Sequence, residues 1–143
     1  MKSALIVLVL ADALTGTWTL NRGRTHYGGG ADARQRETMT CESERQRVHC
    51  TVNSQRADGR WFLGNFVAAY DGRPHSVTGI PDVDSVSLRT IDNQSVDATF
   101  NLNSKAVFAY RAVQSDDGHS LTFVAVDPQS RKILKSVVVY DRK

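Results

Sequence analysis

The stretch E-T-M-T-C-E-S-E-R-Q-R-V-H-C-T-V, residues 37–52, reads as two strand arms that meet at Arg45-Gln46. Folding one arm onto the other through a two-residue turn there sets Glu44 opposite Arg47, Ser43 opposite Val48 and Cys41 opposite Cys50. Counted outward from the turn, the cysteine pair falls at a non-hydrogen-bonded site, where facing Cα atoms come closest. That separation lies near the range a disulfide spans. In the same register Met39, Cys41, Val48, Cys50 and Val52 share one face, with polar residues between them. An antiparallel hairpin with one dry and one wet face is the result, and closing its loop is worth about 2.7 kcal/mol in chain entropy. A metal or redox pair fits poorly, because the spacing is not C-x-x-C and the histidines show no ligand spacing.

The same period continues along the chain. Short runs rich in Val, Thr, Phe and Tyr alternate with turn residues, which predicts strands near 15–20, 36–43, 47–53, 60–70, 73–78, 83–91, 94–102, 105–113, 119–126 and 132–140. Asp71-Gly72, Asp92-Asn93, Asn103-Ser104, Asp116-Asp117-Gly118 and Asp127-Pro128 separate them. Val96, Ala98, Phe100 and Leu102 oppose Ser95, Asp97, Thr99 and Asn101. Tight turns make neighbours antiparallel, and a long meander removes its edges most simply by closing. The expected fold is therefore all-β, an up-and-down antiparallel barrel of about 8–10 strands. A two-sheet sandwich is the rival, but its crossings need longer connections. At 143 residues the chain suits one domain, here spanning 14–143.

Charge and the first residues bear on partners and compartment. The formal charge is +3, and the excess is local: between Arg22 and Arg60 stand eight arginines against five acids. Arg34, Arg36, Arg45 and Arg47 interleave with Glu37, Glu42 and Glu44, which reads as the solvated face of a hairpin rather than a nucleic-acid surface. Met1-Lys2-Ser3, the apolar run Ala4 to Leu10 and Ala11-Asp12-Ala13 have the order of a secretory signal with cleavage after Ala13; the alternative is an apolar N-terminal segment. The run is too short for a stable membrane span, which takes roughly 20 residues. Together with the cysteine pair it points to a secreted or periplasmic protein.

Gly16-Thr17-Trp18 on the first strand resembles the G-x-W signature of the lipocalin and wider calycin group. The resemblance implies that Gly16 lets the chain bend and that Trp18 closes one barrel end beneath a basic side chain, here Arg142. More closely, the chain is similar to a set of small exported bacterial barrels of unassigned activity. Its carriers are Gly16 to Asn21, His26-Tyr27-Gly28, Tyr70-Asp71-Gly72, Val77 to Asp82, Asp117-Gly118 and Val139 to Arg142. They run over nearly the whole chain beyond residue 13 and imply fold and export rather than a reaction.

Such a barrel either fills with side chains or holds one small ligand. The candidate lining is Phe62, Phe66, Tyr70, Phe100, Phe108, Tyr110 and Phe123. Which face of 60–70 turns inward stays open, since Trp61, Leu63 and Val67 are as apolar as Phe62, Phe66 and Tyr70. A strand apolar on both faces points to a partner, a homodimer or a lid. The leading expectation is an exported barrel binding a small hydrophobic molecule. The alternatives are an isomerase- or cyclase-type enzyme using the same cavity, with His75, Tyr110 and His26 as acid–base candidates, and a packed interaction module. Asp97 and Arg111 are further candidate polar contacts, whereas His49 and His119 read as solvated. No metal site and no cofactor is expected, because neither ligand spacing nor a nucleotide fingerprint is present.

Overall fold

Alternation carried through ten strands builds a closed cylinder. The computed structural model describes residues 12–28 and 33–143, so the Ala4 to Leu10 run of the expected signal lies outside the described residues. The strands are β1 (Gly16–Leu20), β2 (Arg34–Glu44), β3 (Arg47–Arg56), β4 (Trp61–Ala69), β5 (Asp71–Thr78), β6 (Ser85–Asp92), β7 (Ser95–Leu102), β8 (Lys105–Gln114), β9 (Ser120–Val126) and β10 (Ile133–Arg142). Each pairs antiparallel with its neighbours in sequence, and β1 pairs with β10 to close the barrel. No described helix is long and apolar enough to cross a membrane.

The hairpin that opened the sequence reading has the expected register: Glu44 faces Arg47, Ser43 faces Val48 and Cys41 faces Cys50. Arg45 and Gln46 take φ of 44° and 65°, the left-handed pair whose twist matches that of the flanking strands. Cys41 and Cys50 are bonded, with Cα atoms 4.1 Å apart, and both are buried in the core.

Most other turns are capped by an aspartate that accepts the N–H two residues on. Asp58, Asp71, Asp92, Asp117 and Asp127 do so for Arg60, Arg73, Gln94, His119 and Gln129. This is the reason Asp recurs in the connections: its short carboxylate satisfies a donor the ladder leaves over.

One end of the barrel is shut. Trp18 is fully buried there, its indole N–H donating to the Leu14 carbonyl at 2.9 Å. The Arg142 guanidinium lies 4.3 Å over the ring and donates from Nε to the Gly118 carbonyl at 2.7 Å. Gly16 has φ of 145°, and a Cβ at that position would crowd both Arg142 and Trp18. Asp12 caps the amides of Leu14 and Thr15, and Ala13 and Leu14 are buried as a plug. Removal of the chain through Ala13 would take Asp12 and one plug residue with it.

The shortest ladder lies between β4 and β5, which share only the pairs Asn65–Thr78 and Phe66–Val77. Beyond them the chain turns at Gly79 (φ 78°), so close to β4 that a Cβ would overlap the Leu63 carbonyl oxygen. Gly64 is equally tight: a Cβ there would overlap the Ile80 side chain. The two glycines together seat Ile80 against the barrel.

Two outcomes follow from this frame. Gly79→Ala should lower stability by about 2 kcal/mol or more, through both the φ requirement and the overlap, seen as a lower denaturation midpoint with unchanged m-value. Replacing Cys41 and Cys50 together by Ala should cost about 2–5 kcal/mol; equal melting temperatures with and without reductant would contradict it.

Candidate functional site

The inner face is decided by pairing. Phe62 faces Ser54 and Phe66 faces Cys50, so Phe62, Gly64, Phe66 and Ala68 point to the axis, while Trp61 and Leu63 stand outside, 54% and 61% exposed. Phe66, Phe100, Phe108, Tyr110, Phe123 and Tyr140 form an unbroken run of ring contacts across β4, β7, β8, β9 and β10. Centroid distances range from 4.8 Å (Phe100–Phe108, stacked) to 6.5 Å (Phe66–Phe100, edge-on). Each such pair adds about 0.5–1.5 kcal/mol beyond area burial.

Except for Tyr140 these rings, together with Phe62, wall a cavity of about 80 Å³, floored by Leu14 and lined also by Met39, Leu88, Ala98 and Ile80, with Arg34 and Glu37 on one wall. A smaller hollow of about 50 Å³ adjoins it at the end away from Trp18, between Ala33, Arg56, Phe62, Ile80, Pro81 and Phe108. Arg34, Phe62, Ile80 and Phe108 border both, so the two spaces meet at the barrel mouth. There the Arg56 guanidinium lies 5.5 Å over the Phe62 ring.

Of the residues singled out in the sequence, Phe62, Phe66, Phe100, Phe108, Tyr110 and Phe123 line this cavity. Tyr70 does not. It sits at the shut end, where burial first and the Asp12 carboxylate second push its phenol far above the ordinary range. His75 bonds Asp71 at 3.0 Å beside the β4–β5 turn. His26 is held on the outer edge through backbone bonds to Val137 and its side chain is exposed; it covers no mouth. Of the three acid–base candidates only Tyr110 reaches the cavity. Arg111 and Asp97 pair with each other on the outer wall, Nε to Oδ1 at 3.0 Å, and Arg131 joins them. They are surface contacts, not inward ones. His49 bonds Asn65 on the exposed face.

The expectation that failed is the solvated face of β2. Arg36, Glu42, Glu44, Arg45 and Arg47 are exposed, but Arg34 and Glu37 turn inward. Glu37 shares the parity of Met39 and Cys41. Arg34 gets inside because the β2–β3 register shifts between Arg34 and Arg36, one extra residue moving a side chain to the other face. The signal available was that parity: an acid two residues before Met39 belongs on the dry face.

Inside, the pair is thoroughly hydrogen-bonded. Arg34 Nε stands 3.4 Å from Glu37 Oε2, and Nη1 donates to Glu37 Oε1 at 3.4 Å and to the Tyr140 hydroxyl at 3.0 Å. Nη2 donates to the Tyr110 hydroxyl at 3.5 Å. Glu37 accepts from Ser54 Oγ at 2.8 Å and from the Tyr140 hydroxyl in a short bond. The Tyr27 hydroxyl accepts the Arg34 amide at 3.3 Å. Burial works against the Arg34 charge, but Tyr140, Glu37, Tyr110 and Tyr27 outweigh it and raise its affinity for the proton. Burial, then Glu37, pushes the Tyr140 phenol up, against the opposing pull of Arg34. Arg34 and Tyr140 are thereby held protonated at neutral pH.

A buried pair of this kind is costly to break and cheap to replace whole. Glu37→Leu should therefore cost about 3–5 kcal/mol by stranding the Arg34 charge, and Arg34→Met a similar amount. The double variant should lose much less than their sum, a coupling that a double-mutant cycle on chemical denaturation reads directly. Additive losses would contradict the geometry.

The closed ten-strand antiparallel barrel is compatible with the calycin type. No known protein family, curated protein or solved structure matches the chain.

Proposed function

We propose that the barrel holds a small, largely apolar molecule in its interior and does not transform it. The observation that carries this is the cavity: ring-walled, closed by Leu14 at one end and opening toward Ile80 and Pro81 at the other. At about 80 Å³ it is well below the roughly 300–1,000 Å³ of drug-sized pockets. The ligand is accordingly compact, or a longer one displaces the Phe62 or Phe108 ring at the mouth. The enzyme reading has less support, since neither His26 nor His75 borders the cavity and Tyr110 is engaged by Arg34.

Export belongs to the same proposal. Its support is the basic start, the short apolar run and Ala11-Asp12-Ala13, together with a buried disulfide that suits an oxidising compartment. A second copy of the chain covering Trp61 and Leu63 is the partner proposed for the outer face of β4, supported by their exposure.

Native mass spectrometry of the protein purified from its own host tests the binding reading. A bound small molecule, lost in an Ala98→Leu variant that fills the cavity without unfolding the barrel, is the expected result. Protein that carries nothing and takes up no small apolar compound would overturn it. Sedimentation velocity tests the outer face: Trp61→Ser should shift any dimer to monomer.

A further inference from the structure

A half-buried arginine beside an apolar cavity, as Arg34 is here, ordinarily reads as a receptor for an anionic head group. Here the local charge is already spent. Both Glu37 oxygens lie within 3.4 Å of the Arg34 guanidinium, and Ser54 and Tyr140 complete the carboxylate's shell. Glu37 itself borders the cavity. An incoming carboxylate would therefore meet a second carboxylate in a space walled by rings, where like charges are poorly screened. An incoming ammonium would meet the Arg34 charge in the same way.

One donor of Arg34, which borders the space, nevertheless has capacity left. Arg34 Nη2 carries two hydrogens, and among the described residues its hydrogen-bond partner is the Tyr110 hydroxyl alone, at 3.5 Å. A ligand oxygen placed beside the Arg34–Tyr110 contact would accept the second hydrogen without bringing net charge. From this arrangement we infer that the cavity selects uncharged molecules with a compact apolar body and one acceptor oxygen (an alcohol, ketone or ester), and turns away carboxylates of the same length. The inference rests on the binding reading above and adds to it the chemistry of the head group.

Titrating the intact protein at neutral pH with 1-hexanol, hexanoate and hexylammonium, followed by the ring signals of the cavity in NMR spectra, separates the two statements. The expected order is hexanol tightest, with hexanoate and hexylammonium each weaker by about tenfold or more, the ratio that 1.4 kcal/mol supports. Hexanoate or hexylammonium binding as well as hexanol overturns the selectivity and leaves the binding reading standing. No binding by any of the three overturns both. Glu37→Gln removes the compensating charge, so hexanoate should gain on hexanol by about tenfold; an unchanged ratio in a folded variant assigns the preference elsewhere and refutes the role of Glu37. If that variant fails to fold, the three ligands on the native chain still decide the matter.

Discussion

Strand alternation inside a closed cylinder is the constraint on which the rest depends. Every second residue must face an interior of fixed size, and a one-residue slip would exchange the dry and wet sets of a whole strand. Closure satisfies both edges of each strand and removes the templates for intermolecular pairing. It also leaves the interior little freedom: volume not filled by side chains is cavity, and a polar group placed there must find its partners there. The Arg34 to Ser54 cluster shows the second rule. The register shift near Arg34 delivers a guanidinium to the axis, where Glu37, Tyr140 and Tyr110 satisfy it from three strands and Ser54, on a fourth, donates to Glu37.

Most of the architecture was legible because it rests on local rules. The turn at Arg45-Gln46, the Cys41–Cys50 pairing and the ten-strand count all come from a period of two read between turn residues. Trp18 under Arg142 was readable only through resemblance, since nothing in the alternation of β1 announces a partner more than a hundred residues away. What stayed hidden depends on which way a strand is rolled. Trp61/Leu63 and Phe62/Phe66 are equally apolar, and only the neighbouring β3 decides between them, by setting Ser54 and Cys50 on the inner face. Arg34 and Glu37 were misread because charges alternate with charges there, a pattern that usually means solvent. A bulge leaves no trace in composition.

The turn aspartates tie the fold to pH. Hydrogen bonds hold their carboxyls below the ordinary range: from the Arg60 amide at Asp58, the His75 ring at Asp71, the Ser95 hydroxyl at Asp92, the Ser115 hydroxyl at Asp117 and the Ser130 amide at Asp127. A depressed folded pKa stabilises the fold fully above the unfolded carboxylate value of about 4, and that contribution is lost as the pH falls from there through the lower folded pKa. All five are at the surface, where each contribution is small and salt-screened. The turns therefore loosen together in acid, and the interior, where Arg34, Glu37, Tyr140, Tyr110 and Ser54 are bonded to one another, follows only when the ladders they close have opened.

The two ends of the barrel differ because of where the chain begins and finishes its circuit. β1 and β10 both reach the same end, so the plug Ala13-Leu14, Trp18 and Arg142 gather there and shut it. The opposite end is bounded by returns between strands, and one of these, Gly79 to Pro81, lies against β4 where the ladder has only two pairs. The residues that border the mouth and those beside the shortest ladder are thus partly the same: Ile80 lines both hollows and packs on Gly64. Access to the cavity is for that reason bound to the local stability of this return. On the binding reading proposed above, a substitution that loosens Gly79 or Ile80 would act on ligand exchange and on the fold at once, whereas one at Trp18, which does not border the cavity, would act on the fold alone.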